Sequence, residues 1–374
     1  MAAANWTCVR SISPFRLVAI RTTIANAAAA ALFYSGIYHL LGPAFRGAGC
    51  VFALHKVVTA REWNQFGPMN RYLSISEELF EAMIHTLMDL DYEIVTMSQI
   101  SQRLNAGRSN HRFACFTFDD GYRDNYEVAF RISRKHNVPI VIYLATGMVD
   151  RITVEPWRGI ESLIAARDKV RVPAEAGGAD RFEEMRADTE QTKTACCEHL
   201  SRVIAAAPAE RKNRLLTGLG EENGFDAWGP IQSLSLDWAL VRSMQESGLV
   251  EFGAHTVRHL SLASLSSRDA ADEMLNSANR VAAELGTAVR HFSYPYGTPA
   301  HAGEREFRIC RELGFETGVT TRHGTLTLAH RNAMQSLPRL TLNGHVANLC
   351  NVKVFASGAM TPLESGWRFW RTKS

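Results

Sequence analysis

The chain has no Cys-x-x-Cys pair, no low-complexity tract, no Gly/Ser linker and no basic run interleaved with aromatics. Each absence excludes something. Without paired cysteines, a structural zinc site on sulfur is not expected. The seven cysteines are odd in number, and Cys196 and Cys197 are neighbours that cannot easily bridge each other. A disulfide framework is therefore not indicated, and a reducing compartment, the cytoplasm, is the simpler expectation. A net charge of +3 over 374 residues is too mild to argue for a nucleic-acid partner. An apolar run of about 20 residues, the length a spanning helix needs, is also missing. Ile24–Tyr34 follows Arg10, Arg16 and Arg21 as the core of a leader would, but Asn26, Ser35, Gly36 and His39 interrupt it. The expectation is an alanine-rich helix packed on the domain, ending near Gly42-Pro43, with no firm membrane partner. Export or loose membrane association stays open.

What is present is a globular composition, 46% hydrophobic and 21% charged. Short apolar runs alternate with helical patterns. Strands are predicted at Cys50–Val57, Tyr92–Thr96, 112–118, Pro139–Ala145, Leu249–Ala254, Val289–Tyr294 and Thr317–Thr321. A helix opening at Ser74 or Ser76 carries Leu79, Met83, Leu87 and Leu90 at helical spacing. Others run to about Leu104, from about Arg123 to His136, and from a Ser267 cap to a Gly286 stop. This alternation predicts an α/β domain with a parallel sheet or barrel. From 150 to 230 the strand signals fade into charged, alanine-rich stretches such as Arg181–Ala207, which read as a helical insertion. The expected organisation is a helical segment 1–48, a first barrel part 49–149, the insertion 150–230, a second barrel part 231–345 and a tail 346–374.

Three strand ends carry chemistry. Phe116-Thr-Phe-Asp-Asp-Gly121 stops an apolar strand at two adjacent carboxylates. Turn formation and helix capping would use one of them. Two together repel unless a cation is near or one is protonated. Glu251-Phe-Gly-Ala-His-Thr-Val-Arg-His259 ends in two histidines with i, i+4 spacing, which faces both imidazoles to one side of a helical turn. Such a pair is often an ordinary exposed helix face. With a carboxylate from a neighbouring strand end, it makes a set with open coordination positions, as catalytic zinc and non-haem iron have. Arg290-His-Phe-Ser-Tyr-Pro-Tyr-Gly297 is either a common Pro/Gly turn or a rigid wall whose backbone N–H near Tyr296 meets an oxyanion.

Thr117-Phe-Asp-Asp-Gly121, His255-Thr-x-x-His259 and Tyr294-Pro-Tyr-Gly297 together resemble the polysaccharide deacetylase family. This is the NodB-homology domain of nodulation chitooligosaccharide deacetylases, or carbohydrate esterase family four. The resemblance spans about residues 50 to 345. It implies a distorted parallel (β/α) barrel, here with a helical insertion and an N-terminal helix. It implies one divalent metal ion, most often Zn2+, and hydrolysis of N-acetyl groups on an amino-sugar oligo- or polysaccharide. By carry-over Asp120, His255 and His259 hold the metal and Asp119 is the general base. Tyr296 supplies an oxyanion contact. The family's arginine three residues before that tyrosine is Ser293 here. Arg290 falls on the opposite strand face, and Arg339 is the remaining candidate for pairing with the base. The family's general acid lies in a Leu-x-His pattern, matched by Leu328-Ala-His330, with His323 and His345 competing. His55 reads as a packed strand-end histidine or a pocket lining. Trp157, Trp238 and Trp367 are either sugar-stacking or buried. Two rivals are a hydrolase of the same fold acting on a non-sugar amide, and a carbohydrate-binding homologue without turnover.

Overall fold

The computed structural model describes residues 14–107, 111–153, 157–174, 181–207, 209–226 and 233–361. In chain order its strands are β1 (Gly49–Leu54), β2 (Lys56–Val58), β3 (Ser74–Ser76), β4 (Tyr92–Ile94), β5 (Arg112–Phe118), β6 (Ile140–Leu144), β7 (Lys169–Pro173), β8 (Phe182–Arg186), β9 (Val250–Ala254), β10 (His291–Ser293), β11 (Thr317–Val319) and β12 (Leu340–Thr341). Eight of these make one sheet in the order β11-β10-β9-β6-β5-β1-β12, with β4 beside the first half of β5. All its pairings are parallel. The sheet curls until its ends meet. The Leu337 amide donates to the Gly318 carbonyl and the Thr320 amide to the Leu337 carbonyl, joining β11 to the segment that leads into β12. This is the distorted parallel (β/α) barrel expected from the sequence.

Strands covered on both faces read as unbroken apolar runs, and β1 and β6 are buried throughout. Phe113 and Cys115 of β5 meet Val51, Val141, Tyr143, Val319 and Leu337 inside the barrel. The alternate residues Phe116 and Phe118 pack outward, edge-on to Phe80 of the helix Glu77–Asp89. The same alternation carries Thr117 and then Asp119 to the inner face at the C-terminal mouth. The helix Met97–Asn105 sits against the strands' other end. There the Glu251 carboxylate accepts from the amides of Met97 and Ser98. Ser76 caps Glu77–Asp89, and Ser266, one residue before the expected Ser267, caps Ser267–Leu285. Gly286 ends the latter at φ 66°.

The stretch expected to be a mainly helical insertion carries the helices Trp157–Ala165, Glu190–Ala206 and Ala209–Asn223, and also an antiparallel hairpin, β7 with β8. So Arg181–Ala207 is not one helix, since its first part is β8. In β7, Val170 and Val172 alternate with exposed Lys169 and Arg171, a period of two that suits a half-buried strand. Both valines pack with Leu163, Cys196, Leu200 and Leu216 in a core separate from the barrel's. Glu161 locks this unit down. Its buried carboxylate accepts from the amides of Gly67, Met69 and Asn70, and from the Asn70 side chain.

The expected tail is also corrected. Leu349–Ala356 is a helix that packs against the N-terminal helix Pro14–Tyr34 and buries Val352 and Phe355 in the main core. Its alternation of apolar and polar residues hides a helical face that only the partner helix reveals. Trp367 lies outside the described residues.

Candidate active site

Five chain segments converge at the mouth of the barrel, where strands of parallel α/β folds present functional groups. β5 runs into Asp119 and Asp120, β9 into His255, β10 into Tyr294–Tyr296, and β1 into His55, while Arg339 immediately precedes β12. Asp120, Thr256, His259 and Tyr296 all have positive φ, at 76°, 63°, 53° and 61°. Such backbone costs of order 1–3 kcal/mol per non-glycine residue and gathers where a structure holds side chains for function.

Asp120 Oδ1 lies 3.3 Å from His255 Nε2 and 3.2 Å from His259 Nε2. Ligand atoms of all three residues fall within 4.8 Å of one another. His255 Nδ1 donates to the Ser293 carbonyl at 2.7 Å, which turns Nε2 inward. Burial works to lower this ring's pKa, but Asp119 and Asp120 beside it more than reverse that and raise it. Burial holds the His259 ring down to about 4, so it is neutral near pH 7. Both Nε2 atoms thus face one buried Asp120 oxygen that has no hydrogen-bond partner. The arrangement offers N, N and O donors that fit a divalent cation.

Asp119 sits beside this cluster but turns to a different partner. Arg339, fully buried, grips its carboxylate in a fork, with Nη1 2.9 Å from Oδ1 and Nη2 2.7 Å from Oδ2. The Ser293 hydroxyl donates to Asp119 Oδ2 at 3.2 Å and accepts from Arg339 Nη2 at 3.1 Å. Thr117 Oγ1 and the Thr320 carbonyl accept the remaining guanidinium protons. Burial pushes the Asp119 carboxyl up, but Arg339 and His255 more than reverse this, so it stays ionised below the usual carboxylate range.

His55 was the less conspicuous candidate. The helix that follows Asp120-Gly121 clamps its loop, since Asn125 Nδ2 donates to the His55 carbonyl and Asp124 Oδ1 accepts from the Val57 amide. The ring faces the cavity, its buried Nδ1 has no hydrogen-bond partner, and burial lowers its pKa. The cavity holds about 620 Å³. Its polar floor is the Asp119, Asp120, His255 and His259 group, and Tyr122, Met148, Trp157 and Tyr296 form walls. The Tyr296 ring packs tilted against the His259 ring at 5.0 Å and the His301 ring at 4.9 Å.

His330 and His323 do not join this group. After β11 the chain descends to the other end of the barrel, where Leu326 pairs with Gly49 at the start of β1. His330 follows there, with Nδ1 accepting from the Thr327 amide at 2.9 Å. His323 packs edge-on to Phe355 at 4.8 Å, and burial lowers it to about 4. His345 lies against Tyr72. Trp238 is structural, donating to Asp150 Oδ1 and packing under Arg280. Arg290 pairs with Glu316 at the surface. His301 escaped the sequence reading, although it lies in the loop directly after the Tyr296 motif.

Comparison with known proteins agrees with this geometry. The model of the polysaccharide deacetylase family matches residues 106–318. The chain belongs to that family, whose carbohydrate esterase family four deacetylases are metal-dependent. No curated protein matches it significantly. Among solved structures, PplD deacetylase of Streptococcus pyogenes is 17% identical, with 79% of this chain and 92% of that one covered at TM-score 0.51. A de-N-acetylase of Aggregatibacter actinomycetemcomitans is 16% identical, with 82% and 99% covered at 0.52. IcaB of Ammonifex degensii is 16% identical, with 83% and 97% covered at 0.51. At these identities the likeness is one of fold.

Proposed function

We propose that the chain is a metal-dependent hydrolase that removes N-acetyl groups from an amino-sugar oligo- or polysaccharide. The observation that carries this is the division of labour between adjacent aspartates. Asp120 joins His255 and His259 in an unsatisfied donor set, while Asp119 is held ionised by Arg339. A divalent ion on Asp120, His255 and His259, zinc being the best match to two imidazoles and a carboxylate, would supply Lewis-acid polarisation of the acetyl carbonyl. Asp119 takes the proton as water attacks that carbonyl. The Tyr296 backbone borders the developing oxyanion. The C–N bond then breaks, the sugar amine leaves with a proton, and acetate remains. His55, with its unpartnered Nδ1 in the cavity, relays the proton that Asp119 has taken from water to the leaving amine, in place of His330.

Purified protein should be stripped with chelator, reloaded with Zn2+ and assayed for acetate release on N-acetylated chitooligosaccharides and other N-acetylated glycans. Release that depends on the metal and is confined to sugars supports the proposal. Release only from non-sugar amides refutes the substrate class. Metal and glycan binding without any release supports a binding homologue instead.

A further inference from the structure

The N-terminal helices present an apolar outer face. The helix Pro14–Tyr34 and the helix Ile37–Phe45 meet at a break, bent by 103°. No single described helix is long and apolar enough to cross a membrane. Their inner side is fixed to the body. Ala29 and Tyr38 are buried, Asn26 donates to the His345 carbonyl, and Asn351 donates to Asn26. On the outer side Tyr34 is 81% and Leu40 79% exposed, and Ile24 and Ile37 are also exposed. Large apolar side chains so fully in water are an unfavourable use of surface unless something covers them.

Charge identifies the cover. Between Arg21 and Arg46 the sequence has no charged residue, and from Met1 to Arg61 it has no aspartate or glutamate. Arg10, Arg16, Arg21 and Arg46 flank the apolar stretch. The underlying helix Leu349–Ala356 adds Lys353 and no acid. A second copy would bring the same acid-free, basic stretch to this face. An anionic lipid surface offers opposite charge to this acid-free, basic sequence, with Arg46 and Lys353 among the described residues, and an apolar layer for Tyr34, Ile37 and Leu40.

We infer that this face docks the protein onto the surface of an anionic lipid bilayer, as a monotopic contact and not a span. The inference is independent of the deacetylase reading.

Flotation of the full chain with vesicles tests it, using phosphatidylcholine alone and phosphatidylcholine with about a third phosphatidylglycerol. The wild type should float with the anionic vesicles at least tenfold better than with the neutral ones, and high salt should weaken this. Tyr34→Glu with Leu40→Glu should lower binding by on the order of 100-fold, since burying each side chain contributes roughly a factor of ten or more. Both positions are in solvent, so the variant's thermal unfolding should match the wild type. Leu40→Phe should retain binding. Equal flotation of wild type and variant, or none of the wild type, would overturn the inference. So would equal binding to both vesicle types, or a wild-type dimer that the double variant dissociates.

Discussion

Arg339→Met tests the pairing at the centre of the site. The substitution keeps a long side chain but leaves Asp119, 2% exposed, without its fork of charge-assisted hydrogen bonds. Breaking a buried pair in this way costs about 3–5 kcal/mol, because the remaining charge is uncompensated. With an unfolding entropy of about 2 cal/mol/K per residue over 374 residues, Tm should fall by about 4–6 °C at pH 8. The pH dependence carries the sharper information. In the wild type the Asp119 pKa is depressed, so its contribution is present above the unfolded value of about 4 and is lost only as pH falls through the lower folded value. In the variant, burial dominates and the folded pKa lies above the unfolded one. Asp119 then destabilises progressively as pH rises past about 4, and the Tm deficit should shrink between pH 8 and pH 5. Differential scanning calorimetry of both proteins with metal supplied measures this. Combining Arg339→Met with Asp119→Asn should cost less than the sum of the two single changes. A deficit that is constant with pH, or that widens towards acid, would refute the electrostatic argument.

Further outcomes follow from the same contacts. Asp119→Asn should keep the metal, by elemental analysis, and lose about 10²–10⁴-fold in kcat, the range of general-base catalysis. His55→Gln should keep metal and fold while kcat falls by at least tenfold, whereas His330→Gln should leave kcat unchanged from pH 6 to 9, checked by acetate-release kinetics. Glu161→Gln gives up a charged acceptor shared by three amides and should destabilise the fold by about 1–3 kcal/mol, measured by urea unfolding.

Much of the fold was legible because parallel barrel strands must be apolar on both faces, and short runs such as Ile140–Leu144 have no other use. The metal-ligand candidates were legible because adjacent carboxylates demand a reason. The two histidines, however, meet Asp120 from a loop after β9, with Thr256 and His259 at positive φ, and not from the helical turn their spacing suggested. Strand alternation turned Arg290 to the wrong face, but no pattern singled out Arg339, whose pairing with Asp119 spans 220 residues. The Leu-x-His pattern pointed to a histidine that lies away from the cavity, for a topological cause. A three-residue pattern does not say that the chain, after Thr317–Val319, goes down to Gly49 and away from the mouth. His55 stood at a strand end in plain sight, but its place in the cavity depends on Asn125 and Asp124 holding its loop, contacts about 70 residues apart in sequence. The hairpin β7–β8 was hidden by the charge of Phe182–Arg186, which is mostly exposed and pairs through its backbone. The helix Leu349–Ala356 was taken for a tail because its partner lies more than 300 residues earlier.

Metal content of the purified chain tests the central claim most directly. Elemental analysis after dialysis should find about one divalent ion per wild-type chain, and close to none in the His255→Ala, His259→Ala double variant. Circular dichroism should show both proteins folded. Equal metal in the two, with both folded, would contradict the assignment of Asp120, His255 and His259 as the metal site.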